Sequence, residues 1–158
     1  SVRFVKTLYE QGVRLPIYDS IWWAYPLFEK LTGPASEGVV RELFYINTGT
    51  DPVAADFTKR FVAKYPGEVP DFNHAQFYAA VRLAGEIALK NGADRESIAK
   101  GLAGVKDYKS AIGPISFDAK GQSIMTADNI MFIHTGKKGE IEILDTKSDF
   151  DKKKVLGF

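Results

Sequence analysis

The chain has 158 residues, 45% of them hydrophobic, enough for one modest domain with a core and too few for two full domains of typical size. Its formal net charge is +1, with Lys and Arg interleaved among Asp and Glu, so nothing directs it to nucleic acid or an anionic membrane. The absence of cysteine excludes disulfide staples, thiolate catalysis and Cys-based zinc sites. No apolar run approaches the roughly 20 residues needed to span a bilayer. No secretory signal is visible, and Ser1 reads as a truncation or processing point.

In chain order, Val2, Val5, Leu8 and Tyr9 share one helical face, and Gly12 suits the end of that helix. Leu15–Tyr18 reads as a short strand with Asp19 and Ser20 at its end. Residues 21–32 are aromatic-rich and read as helical from about Trp23, stopped by Gly33-Pro34. Val39–Ile46 reads as a strand. Thr50-Asp51-Pro52 is a helix start, followed by Val53, Phe57, Phe61 and Tyr65 at a spacing of four. Pro70-Asp71 leads into the longest helix, near 72–91, whose inward face is expected to be Phe77, Val81, Ala84 and Ala88. Asp94 caps a further helix carrying Ile98, Leu102 and Val105.

The apolar period then changes to two. Ile115 and Phe117 alternate ahead of a turn at 118–121, Ile130–Ile133 reads as a buried strand, and 136–139 is a hairpin turn before Ile141 and Ile143. Lys152–Lys154, preceded by Asp149 and Asp151, reads as a solvated tail. Early alternation of helix and strand implies a parallel α/β sheet. Three consecutive helices break that rhythm, as they do when a chain leaves one layer system, visits another and returns.

Catalytic signatures are missing. Neither a dinucleotide-binding nor a P-loop glycine pattern occurs, and no metal-ligand spacing surrounds His74 or His134. No serine sits in a nucleophile elbow. Glu29, Asp56, Glu86 and Glu96 read as surface charges on helices, and no general acid–base pair emerges. Two places suit binding better. Tyr18-Asp19-Ser20-Ile21-Trp22-Trp23 follows a strand end, where open parallel sheets place ligands; the alternative is that both tryptophans pack as core or crevice lining. Asp71-Phe72-Asn73-His74-Ala75-Gln76 opens the longest helix, where free N–H groups and the dipole receive polar ligand groups and Phe72 supplies an apolar wall. The alternative there is an ordinary cap by Asp71 or Asn73.

The runs Phe4–Ser20, Phe61–Tyr65 followed by Pro70, Phe77–Leu83, Ala103-Gly104-Val105 and Ile112–Gly121 occur in an order that resembles the C-terminal part of type I periplasmic solute-binding proteins, the family of the leucine/isoleucine/valine-binding protein. The resemblance covers residues 1–145. It implies an α/β fold of parallel-sheet layers, incomplete in this chain, with a C-terminal hairpin. It also implies two lobes joined by three crossovers, with a small molecule closed in the cleft between them. On this basis 1–46 is a second-lobe segment, 47–112 a first-lobe segment, and 113–158 the crossover, second-lobe hairpin and tail.

The ligand positions that the resemblance carries over are Ser20, Ile21 and Trp22 after the first strand, and Phe72, Asn73 and Gln76 at the helix start. Asp19 is the nearest carboxylate for an ammonium group, while Trp22 and Trp23 lean toward an aromatic or otherwise apolar solute. The implied role is the extracytoplasmic, periplasmic solute-binding component of an ABC-type importer. It captures a small amino-acid-like or aromatic solute reversibly and delivers it to a membrane permease, with no catalysis, metal, cofactor or nucleic acid. A ligand-sensing domain of a receptor or regulator is the alternative, and an α/β enzyme a third reading without a catalytic constellation. The isolated chain is expected to bind its solute poorly and to need its missing N-terminal part or self-association.

Overall fold

The computed structural model describes residues 2–20, 26–45, 51–124, 131–137 and 139–144. They form two compact units: the described residues of Ser1–Phe44 and Ile130–Phe158, and those of Tyr45–Asn129.

The first unit opens with α1 (Val2–Glu10), which buries Val5. The strand expected over 15–18 is shorter and later: β1 covers Tyr18–Asp19. Pro16 has no N–H for a ladder, Leu15 is exposed, and pairing begins only where the Val40 N–H donates to the Ile17 carbonyl at 3.0 Å. Next come α2 (Leu27–Thr32), a 3₁₀ turn (Gly33–Ser36) and β2 (Val40–Leu43). The expected start of α2 near Trp23 lies outside the described residues. Val5, Phe28, Ala35 and Val39 make a small core under partly buried Val2 and Ile17.

β1 pairs with β2 in parallel, Tyr18 opposite Val40 and Asp19 opposite Arg41. β5 (Met131–Thr135) adds antiparallel to β2, and β6 (Ile141–Leu144) antiparallel to β5, so the sheet order is β1-β2-β5-β6. The C-terminal hairpin forms where the alternating pattern places it. The Gly136 N–H donates to the Glu140 carbonyl at 2.8 Å, and Gly139 takes φ +78°, a conformation with little cost only for glycine. The lysine tail lies outside the described residues.

The second unit contains α3 (Pro52–Lys64), α4 (Phe72–Asn91), α5 (Arg95–Ala103) and a two-stranded ribbon of β3 (Tyr108–Ser110) and β4 (Gly113–Ile115). β3 has no counterpart among the expected strands, being three residues with one apolar side chain. Each helix starts on an aspartate cap, as the sequence suggests. The Asp51 carboxylate accepts from the Val53 and Ala54 N–H groups, and Asp94 from that of Ser97. In α3 the spacing-of-four stripe is buried only at Phe57, joined by Ala54, and Tyr65 is exposed.

α4 has the expected span and is the longest helix described, but its buried face is not the expected one. Phe72, Ala75, Ala79, Leu83 and Ile87 face inward, whereas Phe77 and Val81 are 71% and 72% exposed. Both stripes are apolar at helical spacing, and periodicity alone does not choose between them. The buried stripe packs with Ile115 beneath Ile98, Leu102, Val105 and Phe117.

Candidate functional site

The first candidate region is the C-terminal end of β1. Asp19 sits opposite Arg41 in the parallel pair. Burial pushes its carboxyl above the ordinary aspartate value, opposed by the Ser20 N–H and the positive charge of Arg41. Its Oδ2 is buried and meets no hydrogen-bond donor among the described residues. A carboxylate so placed can accept a hydrogen bond from an ammonium or hydroxyl group. Ser20 follows directly and is half-buried. Ile21 and Trp22, with Trp23, lie outside the described residues.

Behind Asp19 is a charged cluster that the sequence reading did not identify. Arg41 is fully buried in mid-strand and ion-pairs with Glu29 of α2. Its guanidinium lies 4.7 Å from the centre of the Phe28 ring, a cation–π geometry. The Thr135 hydroxyl donates to the same Glu29 oxygen at 3.2 Å. Glu29 is therefore not a surface charge: its side chain is 9% exposed. Asp56 and Glu86 are surface charges, in i,i+4 pairs with Arg60 and Arg82. An arginine between Val40 and Leu43 in a short apolar strand is the one sequence signal for the cluster. It is a weak one, because its partner lies 12 residues away on a helix.

The second candidate region is the first turn of α4. The Asp71 carboxylate accepts from the N–H groups of Asn73 at 2.9 Å and His74 at 3.2 Å. His74 Nδ1 lies 3.2 Å from the Asp71 amide nitrogen and 2.7 Å from Asp71 Oδ1, closing a reciprocal capping box. This is the cap geometry named as the alternative for this turn, and those two N–H groups are already engaged. Phe72 is 5% exposed and belongs to the core, while the Asn73 and Gln76 side chains are exposed.

Beside this turn, Phe57, Phe61, Tyr65, Asn73, His74, Phe77 and Tyr78 line an open, mainly aromatic cavity of about 370 Å³. The Phe61 ring lies 5.0 Å from both Tyr65 and His74, edge-on to the latter. A second cavity, of about 760 Å³, is lined by residues of α4 and α5 that include Ile87, Lys90, Lys100 and Gly101. A Cβ at Gly101 would stand 2.8 Å from Asn91 Nδ2, so glycine is what lets these helices approach. No candidate residue lines that cavity. Among the described residues no group of three His, Cys, Asp or Glu is placed to hold a metal, and no helix is long and apolar enough to cross a membrane.

Residues 1–140 match the family model described as periplasmic binding protein. Three solved structures share the fold. A leucine-binding protein from Thermotoga maritima is 22% identical with a TM-score of 0.76, over 90% of this chain and 40% of its own. A branched-chain amino acid transporter substrate-binding protein from Streptococcus pneumoniae, in complex with isoleucine, is 21% identical with a TM-score of 0.74, over 90% and 41%. A solute-binding protein of an ABC transporter from R. palustris, in complex with benzoate, is 22% identical with a TM-score of 0.73, over 90% and 39%. No curated protein matches in sequence. The chain spans about two fifths of the length of these solved structures. Its α/β architecture with the C-terminal hairpin is the type I periplasmic-binding fold, in part.

Proposed function

The chain belongs to the periplasmic binding protein family, and from that premise we propose that it is part of an extracytoplasmic solute-binding protein serving an ABC-type importer. The observation that carries this reading is the family match over residues 1–140. The three solved structures named above are binding proteins for small solutes. The proposed action is reversible capture, with no covalent step and no cofactor. Residues 1–46 are assigned to the second lobe, 47–112 to the first, and 113–158 to the crossover, hairpin and tail.

The solute class proposed is a small carboxylate with an apolar body. Leucine, isoleucine and benzoate, named for the three neighbours, share those two features. They differ in the ammonium group, and Asp19 is the residue assigned to discriminate on it, with Ser20, Ile21 and Trp22 beside it. Asn73 and Gln76 are the assigned contacts from α4, while Phe72 is buried in the core. Asn73 and Gln76 contribute side-chain amides, because the amide N–H of Asn73 already serves the cap.

Calorimetric titration of the uninterrupted gene product with leucine, isoleucine, phenylalanine and benzoate tests the reading. Binding of at least one is expected. Trp22→Ala is expected to weaken binding of a ring-bearing solute by about 0.5–1.5 kcal/mol beyond the buried area. Asp19→Asn is expected to weaken the amino acids and spare benzoate. No binding of any of the four overturns the proposed solute class. Unchanged affinities in folded variants remove Trp22 and Asp19 from the site.

A further inference from the structure

The cavity of about 760 Å³ between α4 and α5 holds no residue of either candidate region. Its floor is aliphatic. Leu83 and Ile87 are buried on α4, and Val105 packs against the same cluster. Three lysines line it as well: Lys90 of α4, Lys100 of α5 and Lys106 beyond the end of α5. Glu86 is the single carboxylate among the described lining residues. It is already engaged, accepting from Arg82 Nε at 2.8 Å and from the Tyr108 hydroxyl at 3.1 Å. Lys90, one helical turn later, is left without it. Lys106 Nζ donates to the Phe117 carbonyl at 2.7 Å, a neutral partner that leaves its charge uncompensated. Among the described residues Lys90 and Lys100 make no ion pair. Glu96, one turn before Lys100, does not line the cavity.

Gly104, at the end of α5, adds room. Its φ of −88° and ψ of −2° form a backbone that any residue adopts, so conformation does not demand glycine there. A Cβ would meet nothing nearer than the Gly101 carbonyl oxygen at 3.5 Å, an ordinary contact. The missing side chain therefore leaves open space in the cavity wall, whereas that of Gly101 lets the helices touch. The volume falls in the range of about 300–1,000 Å³ typical of small-molecule sites. A planar carboxylate is best met by the fork of an arginine. Ammonium groups on separate stems act instead as point charges, which suits the several oxygens of a phosphate dianion. We infer that the α4–α5 cavity is a binding site for a small phosphate monoester with an aliphatic body, the phosphate held by Lys90 and Lys100 and the body laid on Leu83, Ile87 and Val105. The site lies within α4, α5 and the segment that follows them, and it does not depend on the transport role.

Calorimetric titration of the uninterrupted gene product with hexyl phosphate tests the site, with inorganic phosphate and hexanol as its two halves. Hexyl phosphate is expected to bind, and each half to bind at least about tenfold more weakly. Two variants aim at the cavity. Lys90→Gln/Lys100→Gln removes the charges from two exposed side chains and is expected to weaken hexyl phosphate about tenfold or more. Gly104→Leu fills the space and is expected to abolish binding. Lys6→Gln/Lys59→Gln, which removes two exposed lysines elsewhere, is the control and is expected to bind as the parent does. Should Gly104→Leu lose its unfolding transition, the double lysine variant decides. The assignment is overturned by the absence of hexyl phosphate binding, or by equal affinity in the folded cavity variants and the parent. Inorganic phosphate binding as tightly as hexyl phosphate overturns the aliphatic subsite. Sedimentation with vesicles containing phosphatidic acid, without binding of hexyl phosphate, overturns the assignment by making a lipid surface the partner.

Discussion

Removing the guanidinium of Arg41 leaves the Glu29 carboxylate buried without its counter-charge. Arg41→Met is therefore expected to cost about 3–5 kcal/mol in urea unfolding. The double variant Arg41→Met/Glu29→Leu is expected to lose clearly less, because the pair's desolvation disappears with the pair. A double variant no better than the single one would show that the packing over Phe28, not the charge, is what matters. Asp19 makes a pH prediction. Burial raises its native carboxyl above the unfolded value, so the native state holds the proton more tightly. That contribution is complete below the ordinary aspartate value and is lost as pH rises through the raised native value. Relative to Asp19→Asn, the parent protein should lose stability across that acidic window and stay level above it. Urea midpoints of the two proteins, compared over a pH series, check the sign; a difference that does not vary with pH contradicts it. Of these residues Asp19 was legible in the sequence, because a strand end before a polar pair is a local signal. Arg41 and Glu29 were not, because a buried ion pair is made by two elements meeting.

At the scale of the element, α4 separates what a helix shows locally from what its surroundings decide. Its span is written in the chain, with Asp71 as cap and Gly92, at φ +113°, as its end. Asp71→Ala is expected to cost about 1 kcal/mol through the lost cap. Its buried face is set by neighbours. Leu83→Ala should cost about 2–5 kcal/mol, while Val81→Ala in the 158-residue chain should stay within about 0.5 kcal/mol. Equal losses at 81 and 83, measured by denaturant midpoints, would contradict the observed burial. The first strand makes the same point in reverse. Of the four residues with strand character only Tyr18 lies in β1, which Asp19 extends, because a proline and an exposed leucine do not join a ladder.

At the scale of the whole molecule, the prediction concerns how much of a binding protein these residues are. Small-molecule sites work by burying most of a ligand's surface and placing a few polar groups against it. The 158-residue chain alone is therefore expected to show no tight binding of amino acids or aromatic acids by calorimetry, and to associate beyond a monomer in light scattering through its exposed apolar surface. Micromolar or tighter binding by a clean monomer would show a complete site within these residues. The sequence by itself determined the α/β class, the helix caps, the C-terminal hairpin and the family, because caps, turns and alternation are short-range and the family's motifs recur in order. Tertiary structure alone decided that α4 turns Leu83 rather than Val81 inward and that Glu29 is buried against Arg41. Each of those outcomes depends on which surfaces meet across long stretches of chain, and an apolar stripe or a carboxylate reads the same in sequence whether or not a neighbour covers it.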